Sequence, residues 1–243
     1  MIGFRRKQKE PQTEFQRFAS SIIGKPQGFF ATIATNRKRK KLAKEFRSKV
    51  LSQSESRRVW NRYADASVKF TPLEIMETEY GFIKKFGEIN AADRVLSIGS
   101  GPGIGEAFVA KDLVPKGEVV CLDFAHKMNL SAKRTKDIAK TNNVRIVTAS
   151  GTAIPLRANS VDKAILSHLG PMDSESFDKL LQETRRVLRK GKKARFFISG
   201  VISEEKGHIV ELLHDNGFGV LGFSPEYSCG GKSMSVLIAA PKK

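Results

Sequence analysis

Residues 95–103 read Val-Leu-Ser-Ile-Gly-Ser-Gly-Pro-Gly. Four residues of strand character run into glycines at every second position, Gly99, Gly101 and Gly103. A helical pattern opens directly after them. Glycines allow a tight backbone turn and leave room for a ligand to approach the main chain. In an open α/β sheet this is where a nucleotide binds. Twenty residues after Gly103, at the end of the next strand candidate, stands Asp123. An acid there can accept hydrogen bonds from both ribose hydroxyls.

Working outward, short apolar runs alternate with helical patterns from residue 93 onward. Strands are expected at 94–98, 118–122, 144–148, 161–166, 194–199, 218–223 and 234–240. Helices are expected at 104–113, 126–141, 174–189 and 204–216. Strands separated by helices imply βαβ crossovers and a mostly parallel sheet covered on both faces. The last two strands have only a loop between them and should form an antiparallel hairpin at the sheet edge. Before this body, Thr71, Pro72 and Glu74 supply a helix start leading to about Phe86. Phe15, Phe18 and Ile22 share one face of an earlier helix. Ser52–Ser56 reads as a linker or cap ahead of a helix holding Val59, Trp60 and Tyr63. Leu42, Phe46 and Val50 mark a basic amphipathic helix within 36–50. The expected division is a basic, mainly helical extension over 1–71 and an α/β domain over 72–243.

The loop is not the Gly-x-Gly-x-x-Gly of a dinucleotide fold, nor does Gly-Lys-Ser/Thr follow it as in a P-loop. Gly-x-Gly-x-Gly resembles the S-adenosylmethionine loop of class I methyltransferases. The likeness extends along the chain. Residues 117–134 resemble that family's second strand, with the ribose acid at Asp123 and a methionine at Met128. Residues 144–167 resemble its third and fourth strands and the turn between them, here Ile154-Pro155-Leu156. Residues 180–198 resemble its helix, basic turn and fifth strand. Together the likeness covers about residues 72–243, nearest to the group that includes ubiquinone- and menaquinone-biosynthesis methyltransferases. It implies a Rossmann-like fold with S-adenosylmethionine as cofactor. Carried over residue by residue, it implies cofactor contacts at Ser97, Gly99, Ser100, Gly101, Gly103, Asp123, Phe124, Met128, Ser150, Gly151, Thr152 and Ser167. Two positions depart from the pattern: Ser97 and Ser150 stand where the family usually has acids.

A sulfonium cofactor carries the activated methyl group, so the protein must align an acceptor and exclude water. The acceptor side usually lies at the end of the fourth strand. His168 is the one titratable side chain there before Asp173, and could serve as a general base or as a structural spacer. The segment lacks the Asn/Asp-Pro-Pro-Tyr/Phe signature of base-amino methylation. His208 and His214 do not have metal-ligand spacing on one helical face, so no metal is expected.

The 243 residues hold 43 Lys and Arg against 25 Asp and Glu, a net charge of +18. Residues 1–62 carry 17 basic and 4 acidic side chains, leaving a near-neutral body behind a strongly basic segment. Such asymmetry favours polyanions: nucleic acid first, an anionic membrane second. Arg37, Lys38, Arg39, Lys40 and Lys41 form the densest run and the expected nucleic-acid contact. Six phosphate contacts would give a log–log salt slope of about −5. Phe29, Phe30, Phe46 and Trp60 could stack on bases or pack on the body. The same charge would serve organellar targeting, nuclear import or a lipid surface. Two cysteines build neither a disulfide framework nor a four-ligand zinc site. An intracellular, most simply cytoplasmic, setting is expected, with organelle or nucleus as alternatives. Three functions remain: an enzyme methylating RNA or a ribonucleoprotein, one methylating a small lipophilic or phenolic molecule, and a methyltransferase fold without turnover that serves as a binding module.

Overall fold

The computed structural model describes residues 13–23, 52–67, 73–167, 172–191, 193–229 and 231–242. The expected basic helix within 36–50, the run Arg37–Lys41, Phe29, Phe30, Phe46, the Thr71 cap with Pro72, and His168 lie outside these residues.

Among the described residues, three helices come first: α1 (Glu14–Ile23), α2 (Gln53–Ser67) and α3 (Leu73–Phe86). The α/β body follows as β1 (Arg94–Ile98), α4 (Ile104–Phe108), β2 (Glu118–Asp123), α5 (His126–Ala139), β3 (Val144–Thr148) and β4 (Lys163–Ser167). It continues through α6 (Ser174–Val187), β5 (Arg195–Ile202), α7 (Lys206–Asp215), β6 (Phe218–Phe223), β7 (Tyr227–Cys229) and β8 (Lys232–Pro241). Helix α4 passes into a π-helical turn at Val109–Leu113.

The strands form one sheet in the order β3-β2-β1-β4-β5-β8-β6, with β7 also paired to β8. Strands β1 to β5 are mutually parallel, and β8 runs antiparallel to β5, β6 and β7. The chain moves outward one way through β1, β2 and β3, then returns to place β4 on the other side of β1. The crevice beyond the carboxyl ends of β1 and β4 is therefore the topological switch point, where ligands bind in such sheets. The Gly99–Gly103 loop sits there.

The expected hairpin forms, and its strands divide the work. β6 takes the sheet edge, while β8 inserts between β5 and β6. Its continuous run Ser235–Ala239 is buried throughout, as befits a strand covered on both faces. The three-residue β7 has no alternation long enough to announce it.

Two apolar clusters sandwich the sheet. One holds Leu96, Leu122, Leu166, Phe196 and Phe218 beneath α6 and α7; the other holds Val95, Val119, Ile165 and Phe197 beneath α3 and α4. Helix α1 joins the second cluster. Phe15 is buried, stacks with Tyr80 at 6.2 Å between ring centroids, and meets Phe108 edge-on at 4.8 Å. Ala19, one turn later, is fully buried and lets α1 approach closely. The helix read from Phe15, Phe18 and Ile22 thus packs on the body, with Phe15 inward and Phe18 half-buried.

Helix α2 begins with a reciprocal cap: the Ser52 N–H donates to Glu55 Oε2 at 2.9 Å, and the Glu55 N–H donates to Ser52 Oγ at 3.3 Å. The serine-rich stretch is therefore a cap. Trp60 and Ala64 of α2 pack on Ala125, the N-cap of α5, and on Met128 of α5.

If α1 belongs to the core, Phe15→Ala should lower unfolding free energy by about 3 kcal/mol or more. Urea denaturation followed by circular dichroism measures it. A loss under about 0.5 kcal/mol, typical of surface changes, would mean that α1 is an ornament.

Candidate functional site

All three loop glycines adopt left-handed backbone, with φ of 70° at Gly99, 54° at Gly101 and 72° at Gly103. A side chain at each would strain the backbone, which accounts for glycine at alternate positions. The Gly99 and Ser100 N–H groups both donate to Leu122 O, at 2.8 and 3.2 Å, tying the loop to the end of β2. The Gly101 N–H donates to Asp123 Oδ2 at 3.0 Å, and the Ala125 N–H to Asp123 Oδ1 at 2.8 Å. Each carboxylate oxygen keeps a lone pair for a ligand hydroxyl. A Cβ on Gly101 would meet open space, so the loop's tip is uncovered.

Asp123 is only 5% exposed. Burial pushes its carboxyl up from 3.8 to about 6, against the two backbone donors that pull it down. Asn129 fixes the strand end behind it, donating at 2.9 Å to both Asp123 O and Thr148 Oγ1.

A cleft opens beside this acid. Its polar wall includes Asp123, Asp173, Ser150, Thr152 and Gln53; its apolar wall includes Ile98, Leu122, Phe124, Leu180 and Trp60. Gly99 and Gly151 complete the floor. Gly151 is tight: a methyl there would lie 2.9 Å from Ile98 Cγ2 and 3.0 Å from Leu180 Cδ1.

Of the residues expected at the cofactor, Gly99, Asp123, Phe124, Ser150, Gly151 and Thr152 line the cleft. Gly101 bonds its acid. Gly103 caps α4 and faces Ala132 of α5, where a Cβ would lie 3.2 Å from the alanine methyl. Ser100 is buried under the loop. Met128 is buried in the contact between α2 and α5. Ser167, half-buried at the end of β4, meets the Tyr80 hydroxyl.

Ser97 is fully buried below the loop and donates to Glu106 Oε1 at 2.7 Å. Tyr80 donates to the same oxygen at 3.2 Å. A carboxylate thus stands next to position 97 after all, carried by the helix that follows the loop. Burial raises the Glu106 carboxyl, partly offset by the Ser97 bond. Gly105 lets Tyr80 reach this acid, because a Cβ there would lie 2.2 Å from the phenol's Cε2, Cζ and hydroxyl oxygen.

The first turns of α2 roof the far end of the cleft. Gln53 Nε2 donates to Ser150 Oγ. The Arg57 guanidinium sits 6.0 Å from the centre of the Phe124 ring. The Lys127 N–H, at the start of α5, donates to Asn61 Oδ1 at 2.9 Å. Gln53 and Glu106 escape sequence reasoning, whereas Trp60, read as stacking on bases or packing on the body, packs on the body at the edge of the cleft. The only signal of Gln53 and Glu106 is polarity within helices, and long-range packing gives that polarity its place.

Comparison with known proteins fits this geometry. Residues 95–191 match the family model described as Methyltransferase domain. The fold is shared with a SAM-dependent methyltransferase from Aquifex aeolicus, at TM-score 0.57 and 21% identity over 74% of this chain and 97% of that one. It is shared with a putative methyltransferase of Haloferax volcanii in complex with the Trm112 methyltransferase activator, at TM-score 0.60 and 13% identity over 74% and 96% of the two chains. It is also shared with the [4+2]-cyclase SpnF, at TM-score 0.55 and 15% identity over 75% and 81%. The fold is that of class I methyltransferases, and it implies S-adenosylmethionine as cofactor. The cleft fits that group: a side-chain-free loop tip, a carboxylate with spare lone pairs, and an apolar slot edged by hydroxyls. Among the described residues no cluster of three or more His, Cys, Asp or Glu is placed to hold a metal ion.

Asp123 accepts best when ionised, so cofactor affinity should fall as pH drops through about 6, by up to tenfold per unit below it. The empty fold responds oppositely. With a raised carboxyl, this group's contribution to stability is fully present below 3.8 and lost as pH rises through about 6. Calorimetric titration with S-adenosylhomocysteine from pH 5 to 8 tests the first statement. Asp123→Asn should bind more weakly and without that pH dependence; equal slopes would clear Asp123 of the role.

Proposed function

We propose that this protein is an S-adenosylmethionine-dependent methyltransferase acting on RNA or a ribonucleoprotein. The observation that carries the enzymatic part is the cleft at the switch point, with a left-handed glycine loop on one side and Asp123 on the other. When bound, the cofactor supplies a methyl group on a sulfonium already activated for displacement. The loop Gly99–Gly103 holds the methionine portion and Asp123 the ribose. Phe124 and the turn Ser150–Thr152 flank the adenine. Helix α2 excludes water from the adenine end. His168, the residue after β4 in the sequence, takes the proton of a hydroxyl or phenol acceptor.

The choice of RNA is supported by charge at the cleft's border as well as by the basic segment. Helix α2 exposes Arg57, Arg58 and Arg62. Helix α5, against which it packs, exposes Lys127, Lys133 and Arg134. Phosphates along this ridge would release counterions, and a strand so held would lie beside the cleft. The shared fold alone does not choose the reaction, as the cyclase among its members illustrates. Among the described residues no helix is long and apolar enough to cross a membrane.

The deciding experiment incubates the protein with methyl-labelled S-adenosylmethionine and fractionated cell extract. Label in RNA or ribonucleoprotein is expected. Label in the lipid fraction would point to a small lipophilic acceptor, and no label in any fraction to a fold without turnover. Lys133→Glu with Arg134→Glu should weaken RNA binding at least tenfold at low salt and spare cofactor affinity. Such substitutions are preferable to trimming the N-terminus, because α2 is part of the cleft. His168→Ala should lower kcat by about 10² or more with unchanged cofactor affinity.

A further inference from the structure

The contacts of Ser150 fix more than its own position. Its Oγ accepts from Gln53 Nε2 and from the Thr152 N–H at 3.2 Å, and lies 2.8 Å from Thr152 Oγ1. A hydroxyl has one proton and two lone pairs. With both lone pairs engaged, the Ser150 proton must point to Thr152 Oγ1. Thr152 then has a proton to give, and Gln53 Oε1, which makes no hydrogen bond among the described residues, has lone pairs to receive. Both residues line the cleft. This end of the wall therefore offers one donor from Thr152 and one acceptor from Gln53, with a polarity set by the serine between them.

Adenine presents the matching pair, an amino donor next to a ring-nitrogen acceptor. The 6-oxo base hypoxanthine presents an acceptor where adenine has its donor. We propose that Gln53, carried by α2 to the turn 150–152, reads the adenine amino group of the cofactor through Oε1 and sets its preference for an adenosyl group. This rests on the S-adenosylmethionine reading above and adds a specificity-determining residue from outside the sheet. Gln53 supplies the acceptor that the family's usual acid would supply at position 150.

The structure explains why Gln53 can hold this post. The Ser52–Glu55 cap fixes the first turn of α2. Arg57 on Phe124, Trp60 on Met128 and Asn61 on the Lys127 N–H then fasten the helix along the cleft. Removing the Gln53 amide should leave these anchors intact, because Gln53 itself is exposed at the rim.

The test compares S-adenosylhomocysteine with its 6-oxo counterpart, S-inosylhomocysteine, by calorimetry on the full chain. Wild type should prefer the adenosyl compound at least tenfold. Gln53→Leu should lose about tenfold in adenosyl affinity and bring the preference close to one. Gln53→Glu, which keeps an acceptor, should retain the preference. Trp60 is the chain's single tryptophan, so its emission reports whether α2 stays docked. A merely structural role would change that emission and weaken both ligands equally. An unaltered preference in Gln53→Leu overturns this assignment and leaves the cofactor reading standing. Failure of wild type to bind either compound sinks both.

Discussion

The site depends on an acid and a loop that hold each other. The Asp123 carboxylate takes the Gly101 and Ala125 N–H groups, while Gly99 and Ser100 bond the carbonyl one residue before it. Hydrogen bonds to a charged group contribute about 1.5–3 kcal/mol each, enough to keep three alternate left-handed glycines in one arrangement. The parallel pairing of β1 with β2 sets both partners at the same level of the sheet, with Ile98 opposite Leu122. Without that register the glycines would be a loose bend and the acid would lose its Gly101 donor.

The two positions at which this chain departs from the methyltransferase pattern are both served from elsewhere. Ser97 meets Glu106, nine residues on, and Ser150 meets Gln53, ninety-seven residues back. In each case a short hydroxyl replaces a longer acid, and a longer side chain from another element fills the space. The two differ in place: Gln53 of α2 lines the cleft with Ser150, whereas Tyr80 of α3 and Glu106 lie buried against Ser97 beneath the loop.

Most of the sheet was legible because its strands are short apolar runs between breakers. The expected spans for β1, β3 and β6 coincide with those observed. The glycine loop and Asp123 were legible for the same local reason, since spacing alone placed them at adjacent strand ends. What resisted reading was tertiary. Lys163 stands in a central strand because its ammonium reaches Lys193 O and Asp93, and no local pattern foretells a buried lysine. Ser97 and Met128 sit at positions taken from a resemblance, yet their neighbours turn them inward. Gln53 looked like part of a polar cap, and only the fold brings it to residue 150.

Helix α2 has two faces with different employment. Its inner side lines the cleft beside Asp123, and its outer side carries arginines. A rigid rod shared in this way cannot respond to one visitor without informing the other. A ligand in the cleft and an anion on those arginines, if coupled through the rod, would change each other's affinity by the same factor.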